Sequence, residues 1–380
     1  MTDRLTRRNF LNNLYAAAAV SLIPGCKCNQ IPAAPLESPF YLGPYPVRKA
    51  VLGVTPGTTR MPWPTTVSGG ETGFLCPDGT ITISAGNPIP VMIYYPGYST
   101  SYDINLPIEI SQKKNNYPVL LFAHARRLPT CTSTLPAGVP TSILDITQDY
   151  TREERMLSHV ASYGCVAAVP DMSGLVNRTL QERADVLAGL YSFLMSLNNA
   201  LFQNRLDMNR IILTGHSSGG GSCLLARSEL VSVNGAQPIA MGLVAPATSG
   251  AGGVDNSLIL GLNSNGLMVI RGLSDTQVGS DPLNVYNAYN GPKILVSISG
   301  ANHFGYTDIC TPDNKFCSAP ELPGTIIPFT QQLIAGAYLS ALVRKFALGD
   351  ASVEPYMNGT RTLEGQIYGV TGIQLQQSGM

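Results

Sequence analysis

The chain has 380 residues, of which 44% are hydrophobic and 13% charged, and its formal net charge is zero. That length holds one large α/β domain or two small ones with ample core. Balanced charge excludes a nucleic-acid partner, because phosphate binding draws on clustered Lys and Arg. No run of eighteen or more apolar residues follows about the first thirty positions, so the body of the chain is expected to stay outside a membrane.

The first element is a separate segment, residues 1–28. It reads TRRNFLNNLYAAAAVSLIPGC, with Arg7-Arg8 and Phe10-Leu11 matching a bacterial twin-arginine export signal. Leu14 to Ile23 is too short to span a bilayer. Ile23-Pro24-Gly25-Cys26 resembles a lipoprotein cleavage box in which Cys26 would be lipidated, although Pro24 stands where a small residue is usual. The plainer alternative is an ordinary charged first helix. Membrane anchoring is expected through a lipidated Cys26 only, and the chain is expected to be exported, to the periplasm, the cell surface or the medium.

Residues 29–66, rich in Pro and Gly, read as an extended lead-in with an edge strand near VRKAVLGV. VMIYYP (91–96) and YPVLLFAHA (117–125) read as strands, and residues 126–150 as a Pro/Thr/Ser loop. Thr151 and Glu154 have the spacing of a capping box and open a helix ended by Gly164; CVAAVPD (165–171) is the next buried strand. A second capping box, Thr179 and Glu182, opens a helix to about Asn198. RIILTG, PIAMGLVAP, GLMVIRG (266–272) and KILVSISG (293–300) are further strands, separated by the helix GGSCLLARSEL and another near 282–290. Pro328 starts a long apolar helix closed by Gly349. Apolar strands alternating with helices imply an α/β fold: a mostly parallel central sheet flanked by helices on both faces. The economical division is a catalytic domain over 67–350 and a C-terminal tail over 351–380.

The chemistry concentrates in IILTGHSSGGGSC (211–223), where a buried strand runs into Gly and Ser and then into a helix. Gly215-x-Ser217-x-Gly219 in that context is the nucleophile-elbow arrangement: the turn lifts a strained serine above the sheet, and the helix N-terminus offers N–H groups to an oxyanion. A Gly-rich turn without chemistry is the rival reading.

Serine needs a base and an acid to orient it. Of the four histidines, His216 adjoins the serine and should point elsewhere, His159 lies within a helix as a structural residue, and His124 is left open. His303 follows the last expected strand, in SISGANHFG, at the sheet edge where α/β sites form, and is the expected base. Asp275, just after the strand at 266–272, is the expected acid, with Asp281 in reserve and Asp255 in a Gly-rich loop. The backbone N–H of Ser218 is the expected first oxyanion donor, and Ala125 or Arg126 the second. Arg126 and Arg127 are either surface cations or an attraction for acidic substrates.

The eight cysteines sort by context. Cys310 and Cys317 lie close together in a polar loop and are expected to form a disulfide in an exported chain. Cys165 and Cys223 read as buried thiols, and Cys76 with Cys131 is a pairing that spacing does not decide. Cys28 belongs to the export segment. No ligand cluster with metal spacing occurs, so a metal site is not implied.

GPYPVRKAVL, PVMIYYPG, VLLFAHA, CVAAVPD, GHSSGG, GLSDT, GANHF and QQLIAGAYLSALVRKF, spread over about 43–350, resemble the α/β-hydrolase superfamily, within it the platelet-activating-factor acetylhydrolase-like and polyester hydrolase (cutinase)-like serine esterases. The resemblance implies a cofactor-independent carboxylic-ester hydrolase with Ser217, Asp275 and His303 as its triad, acting on small-molecule or lipid-like esters. Two positions depart from the pattern. His124-Ala125-Arg126 replaces His-Gly-aromatic, and Ser218 replaces the Met common after the serine in polyester hydrolases, which argues against aromatic polyesters as substrates. The loop 126–150 is the expected lid. A peptidase or amidase of the same fold and an inactive surface binding protein are the competing functions.

Overall fold

A computed structural model describes residues 38–53, 58–67, 71–76, 79–84, 89–97, 108–111, 113–114, 116–126, 146–175, 179–249, 253–261, 266–308, 324–363 and 372–379. The expected export segment with Cys26 and Cys28, the Cys310–Cys317 loop, Arg127, Cys131 and most of the expected lid lie outside these residues. Residues Glu37–Met380 form one compact unit, and only that unit is described below.

The strands are β1 (Val47–Leu52), β2 (Glu71–Cys76), β3 (Gly79–Ser84), β4 (Val91–Pro96), β5 (Tyr117–Ala123), β6 (Val166–Pro170), β7 (Leu206–His216), β8 (Ala240–Val244), β9 (Gly266–Gly272), β10 (Lys293–Ile298) and β11 (Ile373–Ser378). The α-helices are α1 (Glu154–Ala161), α2 (Leu180–Phe202), α3 (Ser218–Asn234), α4 (Asn256–Leu260), α5 (Asp281–Ala288), α6 (Pro328–Leu348) and α7 (Glu354–Met357). Nine strands form one mixed sheet in the order β1-β4-β6-β5-β7-β8-β9-β10-β11. The run β6-β5-β7-β8-β9-β10 is parallel, and β1, β4 and β11 are antiparallel additions at the edges.

Burial explains why the central strands read as unbroken apolar runs: every residue of β5, β6 and β8 is buried. A parallel strand covered on both faces has no solvent side on which a polar residue would be favoured. Val119, Leu121 and Ala123 of β5, Leu213 of β7 and Leu243 of β8 pack in one core cluster with Leu187 and Leu190 of α2 and Leu224 of α3. The intervening residues face the other way. Gly242, for example, has α6 so close that an added Cβ would lie 2.7 Å from Leu339 Cδ2 and 2.9 Å from Leu342 Cδ2. Period-two alternation therefore separates an α2/α3 layer from an α1/α6 layer. Full burial of one such aliphatic side chain contributes roughly 1.5–3 kcal/mol, and the sheet supplies dozens.

Helix starts divide into one met expectation and one correction. Thr179 caps α2 through a reciprocal capping box with Glu182. Thr151 caps nothing in that way: it ends a 3-10 helix, Ile146–Thr151, and α1 begins after Glu153 without a side-chain cap. A chain that arrives already helical lacks the extended residue that a capping box requires. The reading of 29–66 as lead-in included the edge strand now seen as β1. Within 351–380 the chain forms α7 and then β11, whose alternation ends the sheet against β10. The β2–β3 hairpin, in which Cys76 pairs with Gly79, had its signal in FLCPDGTITIS. No helix among the described residues is long and apolar enough to cross a membrane.

Candidate active site

The C-terminal ends of the parallel strands converge on one rim, the edge at which open α/β sheets present their sites. β7 delivers Ser217, β5 delivers residues 124–126, β9 delivers Asp275 and β10 delivers His303.

Ser217 joins β7 to α3 with φ 58° and ψ −126°, a left-handed-side conformation that costs a non-glycine residue about 1–3 kcal/mol. Backbone bonds on both sides hold it there: its N–H donates to Val244 O at 2.9 Å and its carbonyl accepts from Ala247 N–H at 2.9 Å. The neighbouring glycines are forced by contact. A Cβ on Gly215 would sit 2.5 Å from the Gly219 carbonyl carbon, and one on Gly219 would sit 2.1 Å from the Ala123 oxygen. Gly221 meets the Ala247 oxygen in the same way, at 2.1 Å.

His303 Nε2 lies 2.9 Å from Ser217 Oγ, and His303 Nδ1 lies 2.8 Å from Asp275 Oδ2. The carboxylate only accepts, so Nδ1 carries the proton and Nε2 is the lone pair facing the serine hydroxyl. The imidazole and carboxylate side chains are 4% and 2% exposed, so the chain of three is shielded from bulk water along its length. Asp275 is aimed by its own loop, since Oδ1 accepts from Gln277 N–H at 2.9 Å and Val278 N–H at 3.3 Å, leaving Oδ2 for the histidine. The reserve acid has a different partner set. Asp281 Oδ2 accepts from Thr248 N–H, Ser249 N–H and Ser249 Oγ at 2.7–2.8 Å, tying α5 to the loop after β8. Asp255 caps α4.

The remaining histidines have structural partners. His216 is fully buried, donates from Nε2 to the His303 carbonyl at 3.1 Å, and packs its ring 5.0 Å from that of His303. Burial, then repulsion from His303, holds its pKa well below the ordinary value, so it stays neutral. His159 Nε2 bonds Pro39 O and Tyr41 O at 2.8 and 3.0 Å, and burial lowers its pKa to about 4. His124 Nε2 accepts from Met172 N–H at 2.8 Å, which assigns its proton to Nδ1, facing Ala125 O at 2.8 Å.

That bond fixes the Ala125–Arg126 peptide. With the carbonyl turned to His124, the trans geometry sends the Arg126 N–H the opposite way, where it donates to Ser218 Oγ at 3.0 Å. Buried Glu153 lies behind the same loop, its pKa well above the ordinary value through burial and then the nearby Asp149 and Asp308, with the Ala125 N–H acting against that rise. Behind this loop the fully buried Arg183 guanidinium donates to the carbonyls of His124 and Met172; burial lowers its pKa to about 10, so it remains a cation at neutral pH.

Four residues beneath the site went unread in the sequence. Gln331, in the first turn of α6, bonds both sides of Asn302: its Oε1 accepts from the Asn302 N–H at 3.1 Å and its Nε2 donates to the Asn302 carbonyl at 2.6 Å. Gln332 donates to Thr307 O. Together they hold the loop that carries His303. Arg183 and Glu153 do the same for the loop after β5. Their only sequence signal is a polar residue on an apolar stripe: Arg183 falls between Leu180 and Leu187 at helical spacing. Cys165 and Cys223 are free, buried thiols. No protein-family model matches the chain, and a search of curated proteins finds no similar sequence.

Proposed function

We propose that this chain is an exported serine hydrolase with the α/β-hydrolase fold, and that it cleaves carboxylic esters through an acyl-enzyme without a cofactor. The observation that carries the reading is the unbroken line from Asp275 Oδ2 through His303 to Ser217 Oγ, at 2.8 and 2.9 Å, on a turn whose strain is sustained by the surrounding backbone. As Ser217 Oγ attacks the ester carbonyl, its proton passes to His303 Nε2, and Asp275 stabilises the resulting imidazolium. The tetrahedral oxyanion takes hydrogen bonds from the first turn of α3. Collapse expels the alcohol, which leaves with the proton from His303. Water then attacks the acyl-serine by the same proton route and releases the acid.

The test is a series of p-nitrophenyl esters of increasing acyl length run beside peptide p-nitroanilides. An esterase turns over the esters, loses that activity in Ser217→Ala, and leaves the anilides essentially intact. Anilide turnover at comparable kcat/KM makes the chain a peptidase or amidase of this fold. Absence of turnover on both, with the folded protein in hand, leaves the binding-protein reading standing in its place.

A further inference from the structure

The first residue of α3 carries more than its backbone. The Ser218 hydroxyl oxygen accepts the Arg126 N–H at 3.0 Å, and the residue is buried, with 7% exposure. Its own hydroxyl proton has no acceptor among the described residues. A hydroxyl has one donor and two acceptor positions, and this one uses a single acceptor position, for Arg126, with its donor to spare. Side chains in an α-helix tilt toward its N-terminus, which here is the end facing the reacting carbonyl. The Arg126 N–H meanwhile is not bare. A substrate oxygen reaching for it must first displace the hydroxyl.

Resting on the hydrolase reading above, we propose that the Ser218 side chain is itself a catalytic residue, donating its O–H to the oxyanion beside its own backbone N–H, with Arg126 N–H acting one step back as the group that polarises it. In a chain of hydrogen bonds, each donor that is also an acceptor becomes a stronger donor, so Arg126 N–H → Ser218 Oγ–H → oxyanion strengthens the final bond. The buried groups behind the loop serve the same end. His124 fixes the peptide direction, and Arg183 pins the carbonyl before it, so that the Arg126 N–H meets the hydroxyl without reorganisation when negative charge develops. No proton is transferred from Ser218: its O–H donates throughout, and the proton that moves is that of Ser217.

The experiment compares wild type, Ser218→Ala and Ser218→Thr. Alanine keeps the backbone donor and removes the side-chain one. Losing one oxyanion donor lowers kcat by roughly 100-fold, with KM nearly unchanged. Affinity for a boronic-acid inhibitor, which forms a tetrahedral adduct on Ser217, should fall alongside kcat, while that for the free product acid should not move. Threonine, which retains the hydroxyl, should recover most of both losses, whereas a purely structural role would shift the melting temperature and leave the tetrahedral preference intact. Turnover in Ser218→Ala equal to or above wild type overturns the proposal, because the hydroxyl would then merely occupy the Arg126 donor. If wild type itself neither hydrolyses esters nor binds the boronic acid, the hydrolase reading beneath the proposal has failed, a result distinguishable by needing no Ser218 variant.

Discussion

The two sides of the site are held in place by different means. At the Ser217 turn the restraint is the main chain: glycines admit carbonyls to within distances that any Cβ would forbid, and backbone bonds to Val244 and Ala247 keep the serine in its strained conformation. At the His303 loop the restraint is side chains from a distant helix, with Gln331 and Gln332 grasping the backbone at Asn302 and Thr307. The first side sits on the α2/α3 layer and the second on the α1/α6 layer, so the Ser217 hydroxyl and the His303 imidazole are fastened to opposite faces of the sheet. For the proposed hydrolase this means a nucleophile and a base held by independent restraints, so each side should fail differently when disturbed.

The largest effect expected is at the nucleophile itself. Ser217→Ala should lower ester turnover by about six orders of magnitude while leaving the melting curve close to wild type, since alanine keeps the Cβ and hence the backbone strain at φ 58°. On the other side, Asp275→Asn should lower kcat about 10⁴-fold by favouring the wrong tautomer of His303. Asp281→Asn should keep turnover within about tenfold and instead lose about 1–3 kcal/mol in urea unfolding, because it disturbs the loop bonds to Thr248 and Ser249. Equal losses of activity in the two Asn variants would erase the distinction between them.

A smaller effect separates backbone from side-chain restraint. Gln331→Leu removes both bonds to Asn302 and lets the His303 loop drift, which should cost roughly 10–100-fold in kcat with the protein still folded. Gly219→Ala has no such intermediate outcome. Its Cβ would meet the Ala123 oxygen at 2.1 Å, so α3 must leave β5, and the loss should appear as instability of about 3 kcal/mol or more.

The smallest effect is in pH. His159 on α1 lies against α6, where a Cβ on Gly336 would come 3.2 Å from the His159 Cβ. Its pKa is lowered from 6.5 to about 4, so the unfolded chain binds the extra proton first. Stability is therefore full above about pH 6.5 and declines as pH falls toward 4, by about 3 kcal/mol from this group. The buried His216 acts in the same direction. Asp308, raised to about 6 mainly by burial, acts in the opposite one, gaining stability as pH falls. The difference in unfolding free energy between wild type and His159→Gln at pH 7 and at pH 4.5 isolates the histidine: the wild-type advantage should shrink at the lower pH.

How far the sequence revealed these two regions follows from their construction. The Ser217 turn was legible because its restraint is local: a strand, Gly-x-Ser-x-Gly and a helix adjoin in thirteen residues, and close backbone approach leaves glycine as its trace. The mostly parallel sheet was legible for a similar reason, since two-sided burial writes unbroken apolar runs. His303 and Asp275 were singled out by following strands. Gln331, Gln332, Arg183 and Glu153 left no comparable trace, because a buried polar side chain is defined by what it bonds across the fold, not by its neighbours in the chain. The same applies to Ser218 Oγ, whose partner lies 92 positions away. Thr151 shows the converse failure, a correct local motif overridden by the turn that precedes it.

The most direct measurement is active-site labelling with a fluorophosphonate, read by mass spectrometry of the intact protein and of its peptides. The account predicts one adduct per chain, on the peptide containing Ser217, abolished in Ser217→Ala and slowed by orders of magnitude in His303→Ala. A folded protein that stays unlabelled, or one labelled equally well after the imidazole is removed, would contradict it.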